Sequence, residues 1–217
     1  TLPGIVPVSD YSSAPYIRGG TPDQNLYLVD GTDVYNPEHA FGLFSIFNTD
    51  ALKKAEVFKG GFGAQYGGRL SSVLNITHHD GNKKKVEGTA AISLLSARTT
   101  LQVPLGGRGS RERGSLSASF RRTYFDQTVG RAIEDIPPYY FWDGNLKAFI
   151  DIDQTNKLTI SAFGGRDFLD FTLNNDSAEE VGLQYGWGNR TGSVRWTRVW
   201  TPRLFGNLWI TGSRFDS

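Results

Sequence analysis

The chain has 217 residues, and its 23 Lys and Arg against 22 Asp and Glu leave a net charge of +1, which gives no electrostatic case for nucleic acid as a partner. It contains no Cys, which excludes a disulfide framework, thiolate metal sites and cysteine nucleophiles, and no Met, so Thr1 is expected to be a processed or truncated start. No apolar run reaches the roughly 18 residues of a membrane-crossing helix, whereas 26 Gly and 13% aromatics in a chain only 38% hydrophobic suit β structure with many turns.

Two regions follow different patterns. Over residues 1–82, "NLYLVDGTDVY" predicts a hairpin, with Leu26–Val29 and Val34-Tyr35 flanking the Asp30-Gly31 turn. Asn48, Thr49 or Asp50 then offers an N-cap for a short helix over Ala51-Leu52-Lys53-Lys54. "AEVFKG" and "SSVLNITHH" read as strands on either side of a run holding Gly60, Gly61, Gly63, Gly67 and Gly68 around Tyr66 and Arg69. This first region is expected to be a small α+β unit.

From Lys83 onward the pattern is strand after strand, with apolar residues at every second position. Val86, Ala90, Ile92 and Leu94 share a face, as do Leu101, Val103 and Leu105, then Leu116, Ala118 and Phe120. Leu146, Ala148 and Ile150 continue the pattern, followed by Leu158, Ile160 and Ala162, and finally Leu204, Leu208 and Ile210. Around "GSVRWTRVW" the alternation is less clean, because Arg190 and Arg198 fall on the apolar face. Apart from a short first link near Ser96-Ala97, long and short connections alternate, and aromatics gather at strand ends. Short turns on one side, longer loops on the other and aromatic girdles are the pattern of outer-membrane barrels. Six or seven strands cannot close a wide barrel, and an open edge has no hydrogen-bond partners in lipid. The remaining strands are therefore expected beyond Ser217.

The ordered pieces "LPGI", "YIRGGTPDQNLYLVDGTDVYNP" and "HAFGLFSIFNTDALKKAEVFKGGFGAQYGGRLSSVLNIT" resemble the plug domain of TonB-dependent outer-membrane transporters, with the flavour of the SusC-like, Bacteroidetes-type branch. The resemblance implies an α+β plug domain over 1–82 followed, over 83–217, by the first six to seven strands of an antiparallel transmembrane β-barrel of about 22 strands. It implies TonB-dependent import of a scarce solute (siderophore, cobalamin, oligosaccharide or peptide) across the bacterial outer membrane, with no enzymatic step and no cofactor. The implied partners are the TonB–ExbB–ExbD complex, reached through a segment N-terminal to Thr1, outer-membrane lipids and the small solute, with room for a SusD-type lipoprotein. The alternative is a structural or adhesive barrel that serves as a scaffold in an envelope complex.

On this reading Arg18, Gly19, Gly20, Asp30, Gly31, Gly60, Gly61, Gly63, Tyr66, Gly67, Gly68 and Arg69 pack the plug against the barrel wall. Arg121 joins Arg18 and Arg69 as a candidate salt-bridge partner across that boundary, since buried charges need partners. Tyr35, Asn36, His39, Tyr139 and Tyr140 are candidate ligand-facing residues, with the long loops Val129–Tyr140 and Thr172–Gln184. Other chemistry is poorly supported. Gly61-Phe62-Gly63 lacks the third glycine of a dinucleotide fingerprint, and Gly68-Arg69-Leu70 is not a P-loop ending. His78 and His79 point to opposite faces of a strand and so cannot together chelate one ion. Asp30 and Asp33 flank a turn that needs side-chain acceptors.

Overall fold

The computed structural model of the protein describes residues 5–7, 15–106, 113–128, 137–174 and 180–217. Of the expected ligand loops, Val129–Tyr140 and Thr172–Gln184, residues 129–136 and 175–179 lie outside the described residues.

Strands β1 (Ile5–Pro7) and β2 (Pro15–Ile17) form an antiparallel pair. Strands β3 (Asn25–Val29), β4 (Thr32–Asp33), β7 (Leu52–Phe58) and β8 (Ser72–His78) form a mixed sheet in the order β4-β3-β8-β7. In it β3 runs parallel to β8, while the other two pairings are antiparallel. The β3–β4 hairpin is the expected one. Asp30 and Gly31 have φ of 46° and 78°, the paired positive values of a tight turn that matches strand twist. A second small pair, β5 (Glu38–His39) with β6 (Phe44–Ser45), sits between the hairpin and β7.

The expected helix is not there. Thr49–Ala51 makes one 3-10 turn, capped by the Asn48 side chain, which accepts from the Asp50 amide at 3.1 Å. Leu52 is already extended, and Lys53 and Lys54 lie within β7. Good helix formers yield here because pairing with β8 satisfies this backbone, and a one-turn helix has too few hydrogen bonds to compete.

The second region is one antiparallel sheet of seven strands in chain order: β9 (Glu87–Ile92), β10 (Ser96–Leu105), β11 (Gly114–Thr123), β12 (Tyr139–Asp151), β13 (Asn156–Asn174), β14 (Glu180–Thr201) and β15 (Leu204–Asp216). Its faces are inverted relative to a water-soluble sheet. Ser115, Ser117, Ser119, Asn145, Lys147, Thr159, Ser161, Asn189, Thr191 and Ser193 are buried, whereas Ile92, Leu101, Phe120, Leu146, Ile160, Val194 and Leu208 are exposed on the other face. The buried polar face is covered by the first region. No described helix is long and apolar enough to cross a membrane.

Candidate functional site

The boundary between the two regions is where charged side chains accumulate, and a strained loop of the first region anchors one cluster. Ala40, Phe41 and Gly42 all have positive φ, at 52°, 55° and 98°. A non-glycine residue in this region costs on the order of 1–2 kcal/mol, so the surroundings must hold the loop in place. They do so through the wall. The Ala40 amide donates to Asp167 Oδ1 at 3.0 Å and lies 2.6 Å from the Tyr139 hydroxyl, which itself bonds Asp167.

His39, immediately before this loop, is 1% exposed and inserts between two wall carboxylates. Its Nδ1 lies 2.7 Å from Asp167 Oδ2, and its Nε2 faces Asp143 Oδ2 at 3.6 Å, an ion-pair distance longer than a hydrogen bond. The ring stacks on Phe141, with centroids 4.0 Å apart. Arg121 completes the group, with Nε 2.6 Å from Asp143 Oδ2 and one amino group donating to the Ser45 carbonyl of β6. Burial opposes a charge on His39, but hydrogen bonding and attraction to Asp143 and Asp167 win, and its pKa is raised. Two cations then balance two carboxylates, and the balance exists only while His39 is protonated.

A second cluster lies nearer the short turns. Lys147, whose side chain is 3% exposed, reaches out of β12 to Asp30 Oδ1 at 2.8 Å, Asp80 Oδ1 at 3.0 Å and the His78 carbonyl at 3.0 Å. His78 Nδ1 contacts the other Asp30 oxygen at 2.8 Å. Burial would raise the Asp30 pKa, but the bond from His78 and the charge of Lys147 bring it down to about 2. Asp80 is held low as well, by Lys53 and Lys147 against its own burial. The hairpin turn is pressed to the wall beside this cluster, where a Cβ on Gly31 would collide with the Trp209 indole. Arg98 to Asp50, at 2.7 Å, adds a further ion pair across the boundary.

The residues singled out in the sequence separate clearly. Asp30 and Gly31 do contact the wall, and so does Arg121, from the wall side. Gly61, Gly67 and Gly68 lie on an exposed loop with open space where a side chain would project, and Gly60 approaches Arg18. A Cβ at Gly60, Gly61, Gly63, Gly67 or Gly68 would meet no wall strand. Tyr66 packs inside the first region, against the cluster of Leu26, Leu28 and Val73 and beside Phe58, and Arg69 is exposed. Arg18 and Gly19 are exposed turn residues, and Gly20 abuts Ser71. His39 and Tyr139 are parts of the first cluster, and Tyr140 points to the opposite face of the sheet, under the Arg122 guanidinium at 4.5 Å.

Tyr35 and Asn36 do lie at an open surface. With Glu38, Phe41 and Arg69 they line a cleft of about 650 Å³. An adjoining cleft of about 170 Å³ holds Phe41, Tyr185, Trp187 and Phe215. Phe41 is 74% exposed and lies 4.9 Å from Trp187, while Tyr35 lies 5.0 Å from Phe215. Burial pushes the Glu38 carboxyl up at the edge of this aromatic surface. Asn189 joins it to the wall, donating to the Asn36 carbonyl at 2.7 Å. Sequence reading missed Asp143, Lys147 and Asp167. Their signal was present, because all three occupy the polar phase of the alternation, where Asp and Lys are costly unless paired.

Residues 1–72 match a family model, the TonB-dependent Receptor Plug Domain. No curated protein matches the chain. The match covers a third of the chain, and it supports a plug domain of the TonB-dependent receptor type over these residues; plug domains of that family belong to the bacterial outer membrane. The SusC-like branch has no support beyond the sequence resemblance.

Proposed function

We propose that residues 1–82 form the plug, and residues 83–217 the first strands of the wall, of an outer-membrane transporter that imports a scarce solute with energy delivered through TonB. The observation that carries this reading is the boundary itself. The plug touches the wall through two clusters of buried ion pairs and hydrogen bonds, set among apolar contacts such as Phe163 of β13 against Tyr27 and Val29 and Phe41 against Trp187. A contact of this kind holds only while its partners stay together, since each charge separated inside the lumen loses its compensation. Water entering a displaced plug would solvate the same groups, so a pulling partner can open the path and the plug can reseat.

Closure of the wall by further strands is part of this reading, because the edges at β9 and β15 cannot face lipid unpaired. The solute would first meet the plug apex, where Tyr35, Asn36 and Phe41 face Tyr185, Trp187 and Phe215. The ExbB–ExbD complex would act through TonB, and a SusD-type lid would stand above the long loops. The inverted faces of the wall and the ion-paired plug support this assignment over a scaffold. The test is ion conductance of the whole protein in a planar bilayer bathed in potassium chloride. The intact protein is expected to be closed, and deletion of residues 1–82 is expected to open a stable pore. Equal conductance with and without the plug would overturn the gating role.

A further inference from the structure

Four arginines stand in two adjacent cross-strand rows on the outer face of the wall, away from the plug. The register places Arg122 opposite Trp142, Trp142 opposite Arg166, and Arg166 opposite Gly188. One step closer to the short turns, Phe120, Gly144, Gly164, Arg190 and Arg214 form a continuous cross-strand row. Gly144 and Gly164 contribute no side chain to this row, and the rings of Phe120 and Trp142 lie beside them. Arg190 and Arg214 are direct cross-strand partners on this face, and like charges so placed repel.

The level of this belt matters. Arg214 lies ten residues beyond Leu204, the first residue of β15, and Arg166 ten beyond Asn156, the first of β13. A tilted membrane strand needs about 9–11 residues to cross the hydrocarbon. The arginines thus reach the far interface, on the side of the long connections, where an outward-facing cation costs least. Tyr140 and Phe168, stacked at 4.8 Å, mark the aromatic girdle beside them.

The belt is incompletely neutralised. Arg122 pairs with Asp126 at 3.1 Å and Arg214 with Asp216 at 2.6 Å, while Asp170 bonds Gln184. Arg166 leans over the Phe168 ring at 5.2 Å, and its buried Nε has no hydrogen-bond partner. Arg190 has no carboxylate partner among the described residues.

We propose that this belt binds the phosphate-bearing headgroup of an outer-leaflet glycolipid, with Arg190 and Arg214 clamping one phosphate and Arg166 supplying a further donor. The guanidinium fork matches phosphate oxygens bidentately, which turns the repulsive pair into a site. Trp142 and Phe120 border the glycine-floored strip, where the attached acyl chains would lie. The inference rests on the outer-membrane reading above.

The experiment reconstitutes the whole protein into phosphatidylcholine vesicles containing either bisphosphorylated lipid A or lipid A stripped of both phosphates. Lipid retained by the protein is then counted by native mass spectrometry. Retention of the bisphosphorylated form is expected to exceed that of the stripped form at least ten-fold. The double variant R190Q/R214Q should abolish the preference, and R190K/R214K should keep part of it. R198Q, on the same face near the short turns, should leave it intact. Insertion with equal retention of both lipids, or a preference that survives R190Q/R214Q, would overturn the lipid site while leaving the barrel reading in place. Failure to insert into either vesicle would overturn the barrel reading itself, and the lipid site with it.

Discussion

The four-stranded sheet of the plug buries Leu26, Tyr27, Leu28, Val29, Val73 and Ile76, as a water-soluble domain does, whereas the seven-stranded wall buries Ser115, Ser117, Lys147, Ser161 and Asp167 and turns Leu146, Ile160 and Val194 outward. The alternation in the sequence has the same period in both, but the environments are opposite. The plug carries its own driving force, since removing apolar surface from water stabilises it wherever it folds. The wall has none of its own in water and needs lipid against its apolar face. Where the two meet, the surface offered by the wall is mostly polar, interrupted by the buried aromatics Phe141, Phe163 and Trp187. The first region is therefore bound by charge, hydrogen bonds and a few aromatic contacts while being held together by hydrophobic contacts within.

This contrast can be broken from the plug side or the wall side. The largest effect is expected at Lys147, which pairs with two carboxylates of the plug region, Asp30, shared with His78, and Asp80, shared with Lys53. K147A should loosen the plug by about 3–5 kcal/mol, the usual consequence of leaving buried charge uncompensated. Proteolysis of the plug in the folded protein would accelerate, while β11–β14 should keep their hydrogen-exchange protection.

On the wall, I160K should cost about 2–4 kcal/mol if that face meets the middle of a bilayer. A half-exposed position in water would tolerate the same change within about 0.5 kcal/mol. Stability measured by urea unfolding in lipid vesicles separates these outcomes.

A smaller effect concerns pH and divides the two clusters. His39 has a raised pKa in the folded protein against 6.5 when free, so its contribution is complete below about pH 6.5. That contribution is lost as pH rises through the folded value, and H39Q should remove this alkaline loss. Asp30 behaves in the opposite sense: its contribution is complete above 3.8 and disappears as pH falls through about 2. Plug release followed by proteolysis across pH should show both limbs, with H39Q deleting only the alkaline one.

Much of this architecture was legible in the sequence. Strict period-2 alternation over Leu116–Phe120 and Leu146–Ile150 fixes strand, face and antiparallel order together, because each constrains the others. The Asp30-Gly31 turn was legible for the same reason, since few dipeptides accept two positive φ values. The Leu52–Phe58 strand was partly misread, because Leu-Lys-Lys-Ala has helical propensity and its pairing with β8 is invisible locally. The site was less legible than the fold. His39, Asp143 and Asp167 are separated by 104 and 24 residues of chain and meet only after the wall has wrapped the plug. The glycine run from Gly60 to Gly68 drew attention through composition, yet the close approach to the wall is made by Gly31. Composition marks where backbone can be unusual, whereas contact depends on where the turn is carried.

The five tryptophans offer the most direct test of the inverted wall. Trp142, Trp196 and Trp200 lie on the apolar face, and Trp187 and Trp209 face the plug. Single-tryptophan versions of the whole protein, placed in vesicles of brominated phospholipid, would report by fluorescence quenching which indoles touch acyl chains. Strong quenching of Trp196 with Trp209 left bright is the predicted result. Equal quenching of the two, or quenching of Trp209 alone, would contradict a wall whose apolar face meets lipid and whose polar face holds the plug.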